Sequence, residues 1–151
     1  MFRPLALVLG GAAMLASAPL LASGADAVRS RIAAYRELGA SFKTVNDGLR
    51  GPEPQAMLIQ IAARQIVNAS RAQYGLFPAG SGAESGARTR AKPEVWAQAA
   101  RFKAAQDAFS VEALAFQRAA MANNVPAIRT EARKLGATCK GCHDTFRVPG
   151  D

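Results

Sequence analysis

The sequence predicts an all-α fold, an antiparallel four-helix bundle, from three observations. Apolar residues recur every three or four positions in four segments, which is the spacing of helices that bury one face. Prolines and glycines separate these segments, and no segment alternates apolar and polar residues as a half-buried strand would. Most connections are short, which favours helices that lie antiparallel to their neighbours.

The first two predicted helices are joined by a turn that contains Gly51-Pro52. The apolar stripe of the first helix runs from Val28 to Leu49 in steps of three or four residues. The second helix begins near Pro54, a residue that suits the first turn of a helix. Its apolar periodicity ends by residues 75–78. The apolar positions of this helix are Ile59, Ala62, Ile66 and Ala69.

A loop and two further helices complete the bundle. Residues 78–92 are rich in Gly, Ala, Ser and Arg without periodicity, so we predict a mobile loop. Pro93 opens the third helix, and Asn124 with Pro126 starts the fourth. The apolar side of the third helix comprises Trp96, Ala99, Phe102, Phe109, Ala113 and Phe116. The apolar side of the fourth comprises Ile128, Ala132, Leu135, Cys139, Cys142 and Phe146, so both cysteines face the core.

The pentapeptide Cys139-Lys140-Gly141-Cys142-His143 contains both cysteines and the only histidine of the chain. This C-x-x-C-H pattern is typical of covalent c-type haem attachment, in which two thiols bond to the haem and the adjacent imidazole binds its iron. Residues three and four apart share one face of a helix, so all three side chains can meet one porphyrin. The sequence therefore predicts one haem c per chain, seated in the core of the bundle.

Three other interpretations of this motif are weaker. A structural zinc site needs four ligands, and the motif supplies three. A redox pair of the thioredoxin type belongs beside a strand–helix pattern, which this sequence lacks. A local disulfide would not require a neighbouring histidine. A redox or structural disulfide remains the nearer alternative to haem, and a metal without haem the more distant one.

The N-terminus predicts a secretory signal peptide over residues 1–24. Arg3 precedes an apolar run over residues 5–21, and small residues follow it. The alternative is an uncleaved anchor, but spanning a bilayer takes about 20 apolar residues, and this run is broken by Gly10-Gly11 and Pro19. We expect cleavage near Gly24, no membrane insertion afterwards, and a periplasmic domain over residues 25–151. Export suits c-type haem, because bacteria attach it outside the cytoplasm.

The chain is strongly basic, with 19 Lys and Arg against 11 Asp and Glu and a formal charge of +8. Because Arg3 lies in the signal peptide, the exported domain carries +7, and two haem propionates would bring it nearer +5. Strong basicity can indicate a nucleic-acid partner, but export and the lack of an arginine-rich run argue against that. We expect instead a solvated basic surface that favours redox partner proteins with acidic patches.

Three stretches of the chain carry a family resemblance. Residues 136–147 place the haem motif near the C-terminus and resemble the closing segment G-x-x-C-K-x-C-H-x-x-[YF]-R of cytochrome c′, the class II c-type cytochromes. Residues 31–35 are similar to the R-x-x-x-[LMFY] element of that family's first helix, and residues 92–96 to the start of its third. The resemblance covers residues 25–151 and implies a four-helix bundle, commonly a homodimer formed through the first two helices.

The resemblance also implies roles for residues around the haem. Cys139 and Cys142 would hold it, His143 would be its proximal ligand, and Arg147 would lie one turn further along beside the proximal face. Arg31 would pair with a haem propionate, since arginine can make a bidentate contact with a carboxylate. The alternative for both arginines is a solvated surface position.

On the distal face the resemblance implies Tyr35, with Tyr74 as a looser match. The alternative for both tyrosines is ordinary core packing. Low-spin members such as cytochromes c-556 carry methionine at the Tyr35 position as a sixth ligand, whereas Met57 and Met121 of this chain lie outside the ligand register. We therefore expect five-coordinate, high-spin haem iron behind a crowded distal pocket.

Three functions remain open on this basis. The first is a haem protein that binds small uncharged gases such as NO and CO, since water and anions are disfavoured in an apolar pocket. The second is a one-electron carrier, with a low-spin, six-coordinate c-556-like protein as its extreme form. The third, an enzyme, is the weakest, because the chain has no distal histidine to act as a general acid or base.

Overall fold

A computed structural model of the chain describes residues 23–150, so almost all of the predicted signal peptide lies outside it. Four long helices form the bundle, and a one-turn helix precedes the third of them. The helices are α1 (Gly24–Gly48), α2 (Ala56–Ala72), α3 (Glu94–Ala97), α4 (Ala99–Met121) and α5 (Val125–Phe146). The predicted all-α bundle is confirmed. None of the helices in residues 23–150 is both long and apolar enough to cross a membrane.

Contacts between helices show that neighbours along the chain run antiparallel. Ser41 of α1 donates a hydrogen bond to Gln65 of α2, while Gly48 at the end of α1 lies against Ile59 near the start of α2. In the same way, the Gln60 amide of α2 donates a hydrogen bond to the carbonyl of Ala120 at the end of α4. The Gln73 amide, just after α2, donates to the carbonyl of Gln106 in the first half of α4. The long connection after α2 therefore joins two antiparallel helices.

Side-chain caps fix the starts of the first and last helices. Ser23 and Asp26 form a reciprocal capping box at the start of α1, in which each side chain accepts from the other residue's backbone N–H. The Asn124 side chain accepts a hydrogen bond from the backbone N–H of Ala127 at 3.1 Å, so the predicted start of the fourth long helix is confirmed.

The predicted third helix is divided in two. Gln98 adopts φ −117° and ψ 46°, which ends α3 and restarts the chain as α4. The indole N–H of Trp96 donates to the carbonyls of Phe77 and Pro78, which attaches α3 to the preceding loop. The break rotates Ala99 to the surface, and its predicted place on the buried side is wrong.

Side chains between the helices form two clusters. The larger one, which we call the closed core, is centred on Phe116, Ile59 and Ile128, all with at most 1% of their surface exposed. The smaller one, the aromatic cluster, comprises Phe77, Trp96, Phe102 and Phe146 packed around Val95. Their rings meet edge to face, with centroids 4.8 Å apart for Phe77–Phe102 and 5.0 Å for Phe102–Phe146. The space between the two clusters contains the candidate site.

Candidate haem pocket

A cavity of about 700 Å³ opens between the closed core and the aromatic cluster. All four long helices and the loop before α3 contribute to its wall, with Ile66, Phe109 and Leu135 of the closed core as its floor. Its volume lies within the range of about 300–1,000 Å³ that is usual for ligand and cofactor sites. All six residues singled out from the sequence line it: Arg31, Tyr35, Cys139, Cys142, His143 and Arg147.

The last turns of α5 present the motif to this cavity. Cys139 and Cys142 are half-buried free cysteines, and burial raises the pKa of both thiols above the ordinary value. Burial, followed by the positive charges of Arg147 and Arg90, lowers the pKa of His143. The thiols are therefore protonated and the imidazole neutral near neutral pH, and a neutral imidazole is the form that binds a metal.

Arg31 of α1 is a buried cation without an acidic partner. It is 4% exposed, and no carboxylate within residues 23–150 forms a salt bridge with it. Its Nη1 donates to Leu76 O at 3.2 Å and Ser81 Oγ at 3.1 Å, and its Nη2 to Ser81 O at 3.0 Å and Thr89 Oγ1 at 2.8 Å. Burial lowers the pKa of this guanidinium, which nevertheless stays charged because arginine does not lose its proton in proteins.

Tyr35 lies one turn further along α1 and packs against the loop. Its ring centroid is 6.1 Å from that of Phe77, and Phe77 in turn lies beneath the Arg31 guanidinium with 4.6 Å between Cζ and the ring centroid. Burial, and then proximity to Cys142, raises the pKa of the Tyr35 hydroxyl well above its usual range. The phenol is therefore neutral at physiological pH.

The mouth of the cavity is surrounded by positive charge. Arg36, Arg88, Arg90 and Arg147 line it with exposed side chains, and none of them makes a salt bridge within the described part of the chain. Within residues 23–150, no Asp or Glu lines the cavity. We call these four residues the arginine rim. Elsewhere on the surface several basic side chains are paired along a helix, for example Lys140 with Asp144.

Three positions in or near the cavity, Tyr74, Gln73 and Phe77, differ from the sequence interpretation. Tyr74 does not line the cavity: it is 45% exposed and its hydroxyl donates to Asp107, because a 3₁₀ turn over Gln73–Gly75 rotates it outward. The same turn directs Gln73 inward, where its amide donates to Ser70 O and Gln106 O at 3.0 Å each. Phe77 was also missed. An aromatic residue between Gly75 and Pro78 was the only signal for it.

Met57 and Met121, the two methionines in residues 23–150, lie outside the cavity, as predicted. Met57 is 75% exposed near the start of α2, and Met121 is 43% exposed at the end of α4. Among residues 23–150, the cavity is lined by one histidine, no methionine and no lysine.

A sequence model of the family described as "Cytochrome C'" matches residues 26–147. The chain belongs to the cytochrome c′ family. It is 32% identical to the cytochrome c′ of Rubrivivax gelatinosus over 123 residues, which is 81% of this chain and 94% of the relative. It is also 32% identical to the cytochrome c′ of Alcaligenes xylosoxydans xylosoxydans over 123 residues, 81% of this chain and 93% of that one.

Solved cytochrome c′ structures share the fold of this chain. The crystal structure from Rubrivivax gelatinosus superimposes with a TM-score of 0.77 at 29% identity, covering 83% of this chain and 98% of that one. A nitric oxide complex of a variant cytochrome c′ from Alcaligenes xylosoxidans superimposes with a TM-score of 0.76 at 29% identity, covering 85% and 98%.

Cytochrome c′ proteins bind haem c, and the residues of this pocket fit that cofactor. Two thiols and a neutral imidazole converge on one apolar cavity from the same helix. A buried guanidinium without a carboxylate partner and four rim arginines offer positive charge for the two propionates. The haem interpretation of the motif is therefore preferred over the disulfide and zinc alternatives.

Proposed function

We propose that this cytochrome c′ is an exported, periplasmic haem protein whose iron is five-coordinate and high-spin and binds NO or CO. The observation that carries the proposal is the composition of the cavity wall. Histidine, methionine and lysine are the side chains expected as a sixth ligand, and beyond His143 the described lining contains none of them. Tyr35, across the cavity, is held as a neutral phenol by burial, and a neutral phenol is a poor ligand for ferrous iron.

Residues of α5 and α1 would hold the cofactor from two sides. The haem, when bound, supplies an iron centre that exchanges one electron and binds small gases. Cys139 and Cys142 would attach it through two thioether bonds, and His143 would bind the iron as a neutral imidazole with Arg147 beside it. Arg31 would offer its charge to a propionate. Such pairing would compensate a guanidinium that is otherwise buried without an anion.

The wall around Tyr35 would select what reaches the iron. Tyr35, Phe77 and Phe102 place apolar surface over that part of the cavity. Water and anions would lose solvation on entering, whereas an uncharged diatomic molecule loses little. NO and CO bind ferrous haem without a hydrogen-bond donor, so the pocket favours them over O₂.

Gas titration of the reduced protein tests this function. We expect the ferrous spectrum to shift on addition of CO or NO, with saturation at one gas molecule per haem. A spectrum that CO leaves unchanged would contradict the proposal, because it would mean that the chain supplies a sixth ligand.

A second function, one-electron transfer, is favoured by the arginine rim. Four unpaired arginines around the mouth keep that surface positive even after two propionates are added, and such a surface attracts acidic partner proteins. Oxidation of the reduced protein by ferricyanide should slow as salt is raised if the rim guides electron exchange. A low-spin, c-556-like carrier would show the same salt dependence but no gas binding.

We also infer a homodimer formed through α1 and α2. Met57, Leu58 and Ile61 leave 75%, 46% and 40% of their surface exposed on one side of α2, which is apolar surface a partner helix could cover. Sedimentation of the protein should therefore show a dimer, and Ile61→Glu should shift it toward the monomer. Val111→Glu, which changes an exposed apolar residue of α4 instead, should leave the dimer unchanged.

The location and the non-enzymatic role are parts of the same proposal. Residues 1–24 would be removed on export and residues 25–151 would form the haem domain. N-terminal sequencing of the exported protein tests the cleavage position. Peroxidase or other turnover is not expected, because no second histidine is available as a proton carrier near the iron.

A further inference from the structure

The loop between α2 and α3 is attached to α1 by one side chain. Arg31 donates four hydrogen bonds to this loop: one to Leu76, two to Ser81 and one to Thr89. These three residues follow Arg31 in the sequence by 45, 50 and 58 positions. All four of these hydrogen bonds come from a charged donor, which makes each of them stronger than a neutral one. The guanidinium therefore fixes the start, the middle and the end of this loop to the same point on the first helix.

Ser81 and Thr89 complete this attachment, and of the two only Thr89 lines the cavity. Ser81 is fully buried, and both its side-chain and its backbone oxygen accept from Arg31, while its hydroxyl donates to Pro78 O at 2.7 Å. Thr89 Oγ1 accepts the shortest of the four bonds, at 2.8 Å. Losing either hydroxyl would leave a buried, charged N–H with fewer acceptors, which costs more than an exposed hydrogen bond does.

Phe77 is the residue through which the attached loop reaches the pocket. It follows directly after Leu76, and its ring lies between the Arg31 guanidinium, at 4.6 Å, and the Phe102 ring, at 4.8 Å. Its ring also contacts that of Tyr35. If the loop moves away from Arg31, Phe77 loses the cation above its ring and can leave the wall beside Tyr35.

We propose that Ser81 and Thr89 are positioning residues which, through Arg31, hold Phe77 in the distal wall and thereby slow the entry of gas to the haem. This proposal rests on the gas-binding function above. It gives Arg31 two roles: it holds the loop in place, and it pairs with a haem propionate. If Arg31 served the propionate alone, removing the hydroxyl of Ser81, which does not line the cavity, would leave gas entry unchanged.

Substitutions in the loop separate these two cases. Thr89→Val keeps the shape of the side chain but removes the acceptor, whereas Thr89→Ser restores it. Ser81→Ala removes the second hydroxyl. Ser85→Ala is the matched control, because the Ser85 hydroxyl donates to Gly82 O and accepts from Ala87 N in the same loop but does not contact Arg31.

The first readout is the CO association rate of the reduced, haem-loaded protein after flash photolysis. We expect Thr89→Val and Ser81→Ala to raise this rate by about three- to tenfold, which corresponds to about 0.6–1.4 kcal/mol of barrier. Thr89→Ser and Ser85→Ala should keep the wild-type rate. Arg31→Gln combined with Thr89→Val should be no faster than Arg31→Gln alone, because both changes break the same attachment.

The second readout is amide hydrogen exchange of residues 76–91 in the same haem-loaded proteins, which does not depend on gas binding. The amides of Ala87 and Ala91 are left out of the comparison, because Ser85→Ala and Thr89→Val remove their own acceptors. Faster exchange of the other amides in Thr89→Val and Ser81→Ala, but not in Thr89→Ser or Ser85→Ala, supports the attachment. Unchanged exchange overturns it. Faster exchange with an unchanged CO rate overturns the role in gas entry. If wild-type protein binds no CO, the proposed gas function fails, while exchange still decides whether these hydroxyls position the loop.

Discussion

At the end of the bundle where α1 turns into α2 and α4 into α5, side chains fill the space between the helices, whereas at the other end the helices enclose a cavity of about 700 Å³. The closed core is built from aliphatic residues together with Phe109 and Phe116, and Phe116 is fully buried. The open end is lined by aromatic rings, two thiols and arginines. One end is filled by the side chains of the protein itself, and the other leaves a space that a cofactor can fill.

This difference assigns the packing of the helices to one end of the bundle and the space for a large group to the other. The closed core supplies the burial of apolar surface that holds the helices together. The open end can then keep the neutral imidazole of His143 and the buried guanidinium of Arg31, which has no carboxylate partner within residues 23–150. The predictions below test whether the two ends are separate in this sense.

The largest expected effect is at the open end. Cys139→Ala combined with Cys142→Ala should abolish covalent haem completely, because no other cysteine is present in the chain. Mass spectrometry of the denatured protein checks this through the mass added by haem. Thr145→Ala, one turn away on α5, is the control and should keep the full haem mass. Covalent haem in the double variant would contradict the attachment.

The second prediction concerns the haem-free protein itself. In the Cys139→Ala and Cys142→Ala double variant, amides of the closed core should exchange at least about tenfold more slowly than those of residues 76–98. This ratio corresponds to a difference of about 1.4 kcal/mol in the free energy of local opening. Hydrogen exchange measured by mass spectrometry checks this. Equal exchange at both ends would mean that the bundle folds as one unit around the haem.

The third prediction concerns the closed core. Phe116→Ala should destabilise the protein by about 3–5 kcal/mol, because it leaves a cavity among tightly packed side chains. Denaturant unfolding of the haem-loaded protein measures this loss. The haem spectrum of the variant should match that of the wild type under native conditions. A changed spectrum would show that the closed core controls the pocket directly.

The fourth prediction concerns the crowded wall of the open end. Tyr35→Ala should raise the CO association rate by about tenfold, which corresponds to about 1.4 kcal/mol of barrier, because it removes a large ring from the cavity. Tyr74→Ala is the control, since Tyr74 faces solvent beside Asp107. If the rate is unchanged in Tyr35→Ala, this residue does not lie on the path of the gas.

The smallest effect is expected at a helix cap far from the pocket. Asn124→Ala should lower stability by about 1 kcal/mol, because it removes the acceptor for the Ala127 N–H at the start of α5. Thermal unfolding measures this loss. Asn123→Ala is not a suitable control, because Asn123 has a positive φ of 52° and alanine would be strained there. Asn46→Ala on the exposed side of α1 is the better comparison. Equal effects of the two changes would argue against the cap.

Much of the fold follows from local sequence patterns. The register of α5 places both cysteines toward the cavity, as its apolar stripe predicted, and Asn124 starts that helix. The break at Gln98 has no such signal, because residues 94–101 contain neither Gly nor Pro, and Trp96 beside it contacts a loop that is distant in sequence. A local pattern cannot reveal an orientation that a distant segment imposes.

The site was predictable where its residues share one helix, and less so where the loop contributes. The six predicted residues line one cavity because they recur at helical spacing on α1 and α5. The attachment of Arg31 to Ser81 and Thr89 joins positions 50 and 58 residues apart. No periodicity encodes such a contact, and the loop of residues 78–92 therefore looked unstructured in the sequence.

The optical spectrum of the haem-loaded protein, recorded in the ferric and the dithionite-reduced state before any gas is added, tests the central claim most directly. A broad, high-spin ferrous spectrum is the predicted result, because His143 would be the only side chain bound to the iron. Sharp low-spin α and β bands would contradict the account. They would mean that a second side chain reaches the iron across the cavity, and simple electron transfer would then become the leading function.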